Sequence, residues 1–97
     1  MPQIKVLRSL QPLIPKFLGY QNENLQKLKM ALDSGNYVQA QTIGHIIKGA
    51  SGGYGFDELS RIGKKIESAA KAQEASLLAD CIREFQFHLE NISIDFV

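Results

Sequence analysis

Residues Gly44 to Phe56, GHIIKGASGGYGF, hold five of the chain's eight glycines around one histidine and one lysine. At helical spacing, Ile43, Ile47, Ala50 and Tyr54 fall opposite His45 and are expected to face a core, which turns the imidazole toward solvent. Gln41, Lys48, Gly49 and Gly52 share the histidine's face at i−4, i+3, i+4 and i+7, and Val38 falls on the same side. Each glycine inside a helix costs about 1 kcal/mol relative to alanine, so Gly49 and Gly52 need a reason. The reason inferred is access: they clear the ground C-terminal to the ring so that a bulky partner can reach it. An exposed imidazole with a cation one turn away suits nucleophilic attack on a phosphoryl group. Lys48 would favour a ring nitrogen free to attack and would attract the phosphoryl oxygens.

Four helices are expected to position this cluster. Ile14, Phe17, Leu18, Leu25, Leu28 and Leu32 form the apolar stripe of a first helix, about 10–33, with Pro12 in its first turn and Pro15 bending that turn. Gly35 then suits a left-handed helix end and Asn36 an N-cap, with Gln39 at the capping-box position. The second helix, about 37–52, carries His45. A third, about 56–71, has Phe56, Leu59, Ile62, Gly63, Ile66 and Ala70 at helical spacing. A fourth, about 73–91, has Leu78, Cys81, Ile82, Phe85 and Leu89 as its stripe, while Phe87 falls off it and is left for a helix flank or a partner. Strand-like alternation occurs only at the ends, Ile4–Val6 and Ile92–Val97. The expected fold is all-α, an antiparallel up-down four-helix bundle forming one domain over residues 1–97.

Composition narrows the function. A chain of 97 residues with net charge +1 gives no argument for nucleic acid or an anionic membrane as partner. No apolar run suggests a membrane span or a signal peptide, and the single cysteine, Cys81, reads as a buried free thiol, so a cytoplasmic location is expected. No ligand spacing links His88 to His45, and His88 reads as a surface or helix-end histidine rather than a metal ligand. Arg61, Lys64 and Lys65 form a basic patch on the third helix, either a solvated face or a steering surface for an acidic partner. Gly49-Ala50-Ser51-Gly52-Gly53 matches G-x-S-x-G, but a helix precedes it and no sheet is available, so a hydrolase elbow is rejected and Ser51 is assigned to the helix end.

The run His45-Ile46-Ile47-Lys48-Gly49-Ala50-Ser51, followed by Gly55, Leu59, Ile66 and Glu67, resembles the histidine-containing phosphotransfer (HPt) domain family. That family's pattern is H-x-x-K-G-x-S/A, a glycine ten residues after the histidine, and a later L-E pair. Gly35-Asn36 falls where the family has a Gly-Asp turn, and Ile66-Glu67 stands for the commoner Leu-Glu. The resemblance is strongest from Gly35 to Ala70 and weak before Leu10 and after Leu89.

It implies that His45 accepts a phosphoryl group at Nε2 from a receiver-domain aspartate and passes it to another. Lys48 would neutralise charge, Gly49 would allow close approach, Glu67 would hydrogen-bond Nδ1 and fix the ring, and Gln41 could donate to phosphate. Val38, Gly49 and Gly52 would form the docking face. The implied partners are response-regulator receiver domains and a hybrid sensor histidine kinase, with Mg²⁺ held by the receiver and no cofactor in this chain. The protein would be a monomeric phosphoryl carrier, not an autonomous kinase, and either complete or the tail of a hybrid kinase. Two alternatives remain open at this point: the phosphorylatable domain of a chemotaxis-type kinase, and a four-helix interaction module in which His45 is incidental.

Overall fold

Residues 3–97 are described by the computed structural model, in the order β1 (Gln3–Val6), a 3-10 turn (Arg8–Leu13), α1 (Ile14–Ser34), α2 (Tyr37–Gly53), α3 (Asp57–Lys71), α4 (Ala75–Glu90) and β2 (Ser93–Phe96). The four expected helices are present. Pro12 lies in the 3-10 turn and Pro15 is the second residue of α1, where a missing N–H leaves no helical bond unmade. The α-helix proper thus begins at Ile14, later than expected.

The α1–α2 joint follows the sequence. Gly35 takes φ 68°, and the Asn36 carboxamide oxygen accepts from the Gln39 backbone N–H at 3.0 Å. The Gln39 side chain contacts the Asn36 carboxamide instead of its backbone amide, so the reciprocal half of the capping box is replaced. The α3–α4 joint differs from expectation. Gln73 adopts φ 56°, and α4 starts at Ala75 behind Glu74, two residues later than the stripe suggested.

The two chain ends add an element that the all-α reading omits. β1 and β2 pair in parallel, Gln3 opposite Ser93 through Val6 opposite Phe96, across a connection made of all four helices. Alternation decides their faces: Ile4 and Val6 are buried while Lys5 is exposed, and Ile94 and Phe96 pack against the core from the second strand. Main-chain bonds from Val97 to Val6 and from Arg8 to Val97 extend the pairing, at 2.9 and 2.8 Å.

The core joins residues from every element, with Leu28, Ile47, Phe56, Leu59, Ile66, Leu78 and Phe85 fully enclosed. Phe17 stacks on Phe56 and tilts against Tyr54, both with centroids 4.8 Å away, which seats α1 on the α2–α3 joint. Cys81 is buried and Phe87 exposed, as expected. Gln21 is also enclosed within the α1 stripe, a polar residue that the periodicity had not placed there.

Ala50 is exposed, contrary to the core assignment, and the buried face of α2 is Ala40, Ile43, Gly44, Ile47 and Ser51. That face is rotated toward α3 because the two helices cross closely at Gly44, which leaves Ala50 on an open groove toward α1. No helix among the described residues is long and apolar enough to cross a membrane.

Candidate functional site

His45 projects from the middle of α2 with its side chain 65 % exposed. Its Nδ1 lies 2.9 Å from Oε2 of Glu67, which reaches across from α3. The other carboxylate oxygen, Oε1, accepts from Lys48 Nζ at 3.4 Å. One carboxylate therefore joins the two α2 residues singled out by the sequence. Since an ionised carboxylate can only accept, the ring proton belongs on Nδ1 and Nε2 is left with a free lone pair on the solvent side. Burial works against the charged form of Glu67, but hydrogen bonds from His45 and Lys48 and their charges outweigh it and hold its carboxyl below the usual range.

Backbone geometry makes this reach possible. A Cβ on Gly44 would come within 2.6 Å of the Glu67 amide nitrogen and 2.9 Å of the Gly63 carbonyl oxygen, so only glycine lets the backbones approach this closely. Ser60 on α3 fastens the same crossing by donating its hydroxyl to the Lys48 carbonyl at 2.8 Å. The glycines around His45 thus divide in function: Gly44 serves packing, and Gly49 faces open space.

The remaining expected site residues occupy one surface. Gln41 is half-buried one turn before His45, Val38 is 77 % exposed in the first turn of α2, and Gly49 and Gly52 are exposed one and two turns beyond the ring. Beside them runs a groove of about 480 Å³ between α1 and α2, whose apolar lining includes Leu13, Phe17, Tyr20, Ile46 and Tyr54. Leu13, Tyr20 and Ile46 are exposed there. Sequence reasoning named none of these three as surface residues, although Ile46 stands next to His45 and off the core stripe, which was the available signal.

Arg61 and Lys65 do not form a free basic patch. Glu84 on α4 binds Arg61 at 2.8 Å and Lys65 at 2.7 Å, while Glu58 also pairs with Arg61. Lys64 is exposed. His88 is half-buried in the last turn of α4 rather than on the open surface, and its Nε2 has no hydrogen-bond partner. Among the described residues, no three His, Cys, Asp or Glu side chains gather as a metal site would need. Ser51 packs fully buried at the end of α2, its carbonyl capping the turn and its hydroxyl unpartnered.

The helices thus set one exposed imidazole against a carboxylate that also accepts from a lysine. The model of the Hpt domain family matches residues 13–94, most of the chain, and the protein belongs to that family. Hpt domains are histidine phosphotransfer modules of two-component signalling, carriers rather than kinases, and they engage response-regulator receiver domains. No curated protein and no solved structure matched the chain.

Proposed function

We propose that this protein relays a phosphoryl group between receiver-domain aspartates through Nε2 of His45. The observation that carries the reading is the 2.9 Å contact between Nδ1 of His45 and Glu67, which occupies one ring nitrogen and leaves the other exposed. In the forward step the Nε2 lone pair attacks phosphorus of an aspartyl phosphate. The N–P bond forms as the acyl P–O bond breaks, and the aspartate leaves as its carboxylate. The ring keeps its Nδ1 proton and gains positive charge, which the Glu67 carboxylate offsets. Lys48 can turn from Glu67 to the incoming phosphoryl oxygens, and Gln41 is placed to donate to them from the preceding turn. Reversal of the same step delivers the group to a second receiver.

The chain has no nucleotide-binding signature, and we assign it no kinase activity of its own; a hybrid sensor histidine kinase would load it. Mg²⁺ would be held by the receiver during transfer. The exposed α2 face, with Val38, Gly49 and Gly52, and the adjoining apolar groove give a receiver its seat. A monomeric, cytoplasmic protein with antiparallel neighbouring helices across its short joints fits this role.

The test is incubation with a receiver phosphorylated on aspartate, comparing wild type with His45→Gln. Acid-labile, base-stable phosphate on the wild type alone is expected. Equal labelling of the variant, or no transfer from several receivers to the folded protein, would contradict the proposal, and receiver binding indifferent to the substitution would favour an adaptor.

A further inference from the structure

We infer that Gly44 and Gly63 are positioning residues for His45, because the close α2–α3 crossing they permit selects the ring tautomer whose Nε2 is unprotonated. The inference rests on the phosphoryl-acceptor reading of His45 and names what in the fold prepares that nitrogen.

The two glycines pack against the main chain of two of the three chemical residues, Glu67 and Lys48, and Gly44 directly precedes the third, His45. A Cβ on Gly44 would meet the amide nitrogen and Cα of Glu67 at 2.6 and 3.0 Å. A Cβ on Gly63 would meet the amide nitrogen of Lys48 at 2.7 Å, Cγ2 of Ile47 at 2.9 Å and the Gly44 carbonyl at 3.0 Å. Most of these are main-chain atoms, which no rotamer change can move, so any side chain here forces the helices apart. The glycines elsewhere on α2 behave differently: Gly49 and Gly53 have nothing within 4 Å of such a Cβ, and Gly52 has only Ser60 Oγ at 3.5 Å. Ser60 holds the same crossing through its 2.8 Å bond to the Lys48 carbonyl.

Separation by about 1 Å takes the 2.9 Å contact of His45 Nδ1 with Glu67 beyond hydrogen-bonding range. Neutral imidazole has one ring proton. Held by Glu67, that proton sits on Nδ1; released to water, it favours Nε2, where it blocks the lone pair that must attack phosphorus. The crossing distance is thereby coupled to the fraction of rings ready to react, although neither glycine touches the phosphoryl group.

The experiment reads the ring nitrogens directly, by ¹⁵N NMR above the imidazole titration range, with the His45 signals assigned by their loss in His45→Gln. Wild type should show a protonated Nδ1 and a bare Nε2. Gly63→Ala should move the signals toward the Nε2–H form and slow phosphoryl uptake about ten- to a hundred-fold, whereas Gly53→Ala should leave the ring signals unchanged. A Gly63→Ala protein that is folded by circular dichroism and keeps the wild-type ring signals would overturn the inference, as would a wild type already in the Nε2–H form. If Gly63→Ala does not fold, Ser60→Ala decides, since it removes only a hydroxyl: a shift toward Nε2–H supports the coupling and unchanged signals refute it. The ring measurement needs no partner. Failure of wild type to take up phosphate would therefore count against the proposed function while leaving the tautomer result standing.

Discussion

Glu67 accepts from an imidazole and an ammonium at once, and the proposed reaction at His45 requires it to remain an acceptor toward Nδ1. A glutamine there keeps the size but can offer its N–H₂ to Nδ1, which favours the proton on Nε2. Glu67→Gln is expected to leave the fold intact and slow phosphoryl uptake by about a hundred-fold, the usual scale for losing a proton-positioning group, as measured by transfer from a phosphorylated receiver. His88 makes a different case, a half-buried histidine whose titration bears on stability. Burial pushes its pKa down; the nearby Glu58 and Glu84 carboxylates pull it up in part, and Arg61 adds to the lowering. The unfolded chain therefore binds more protons than the folded one as pH falls below about 6.5, so stability is lost on acidification through that point. Thermal unfolding between pH 7.5 and 5.5 should show this loss, and His88→Gln should remove much of it. His45, Lys48 and Glu67 were legible because motif spacing fixes the first two on one helix and the family resemblance supplies the third. The burial of His88 was not, since it depends on helix packing that local spacing cannot express.

Among the elements, the α1–α2 joint follows from Gly35 and Asn36, whose types match the left-handed end and the cap they form. Asn36→Ala should cost about 1 kcal/mol in a denaturant titration, the ordinary value of an N-cap, with the transition remaining cooperative. The start of α4 was misplaced because Gln73 takes a positive φ, a conformation that glutamine does not advertise. The basic residues of α3 were visible in sequence, but their partner Glu84 comes 23 residues after Arg61 and 19 after Lys65, so the network tying α3 to α4 emerges only in three dimensions. The rotation of α2 that exposes Ala50 has the same origin. Periodicity finds the apolar side of a helix, while Gly44 and Gly63 decide which neighbour that side meets most closely.

The whole molecule is closed by its ends. Alternation at Ile4–Val6 and Ile92–Val97 is visible in the sequence, but it cannot name a strand's partner, and the pairing joins positions 90 residues apart, from Gln3 with Ser93 to Val6 with Phe96. Ile4 and Val6 nevertheless enter the same core as the helices. Deleting residues 1–7 should destabilise the protein by about 3 kcal/mol or more, from the buried apolar side chains alone, and lower its melting temperature without abolishing helical circular dichroism. A deletion with an unchanged melting temperature would mean that the strand pair is ornamental to the bundle.

The most direct test of the central claim is to locate the phosphoryl group after loading from a phosphorylated receiver, by ³¹P–¹⁵N NMR of the labelled protein. A phosphorus coupled to Nε2 of His45, with Nδ1 still protonated against Glu67, is the predicted result. A phosphoryl group on Nδ1, on His88 or on an oxygen would contradict the account, because each would mean that the nitrogen left free by Glu67 is not the one that reacts.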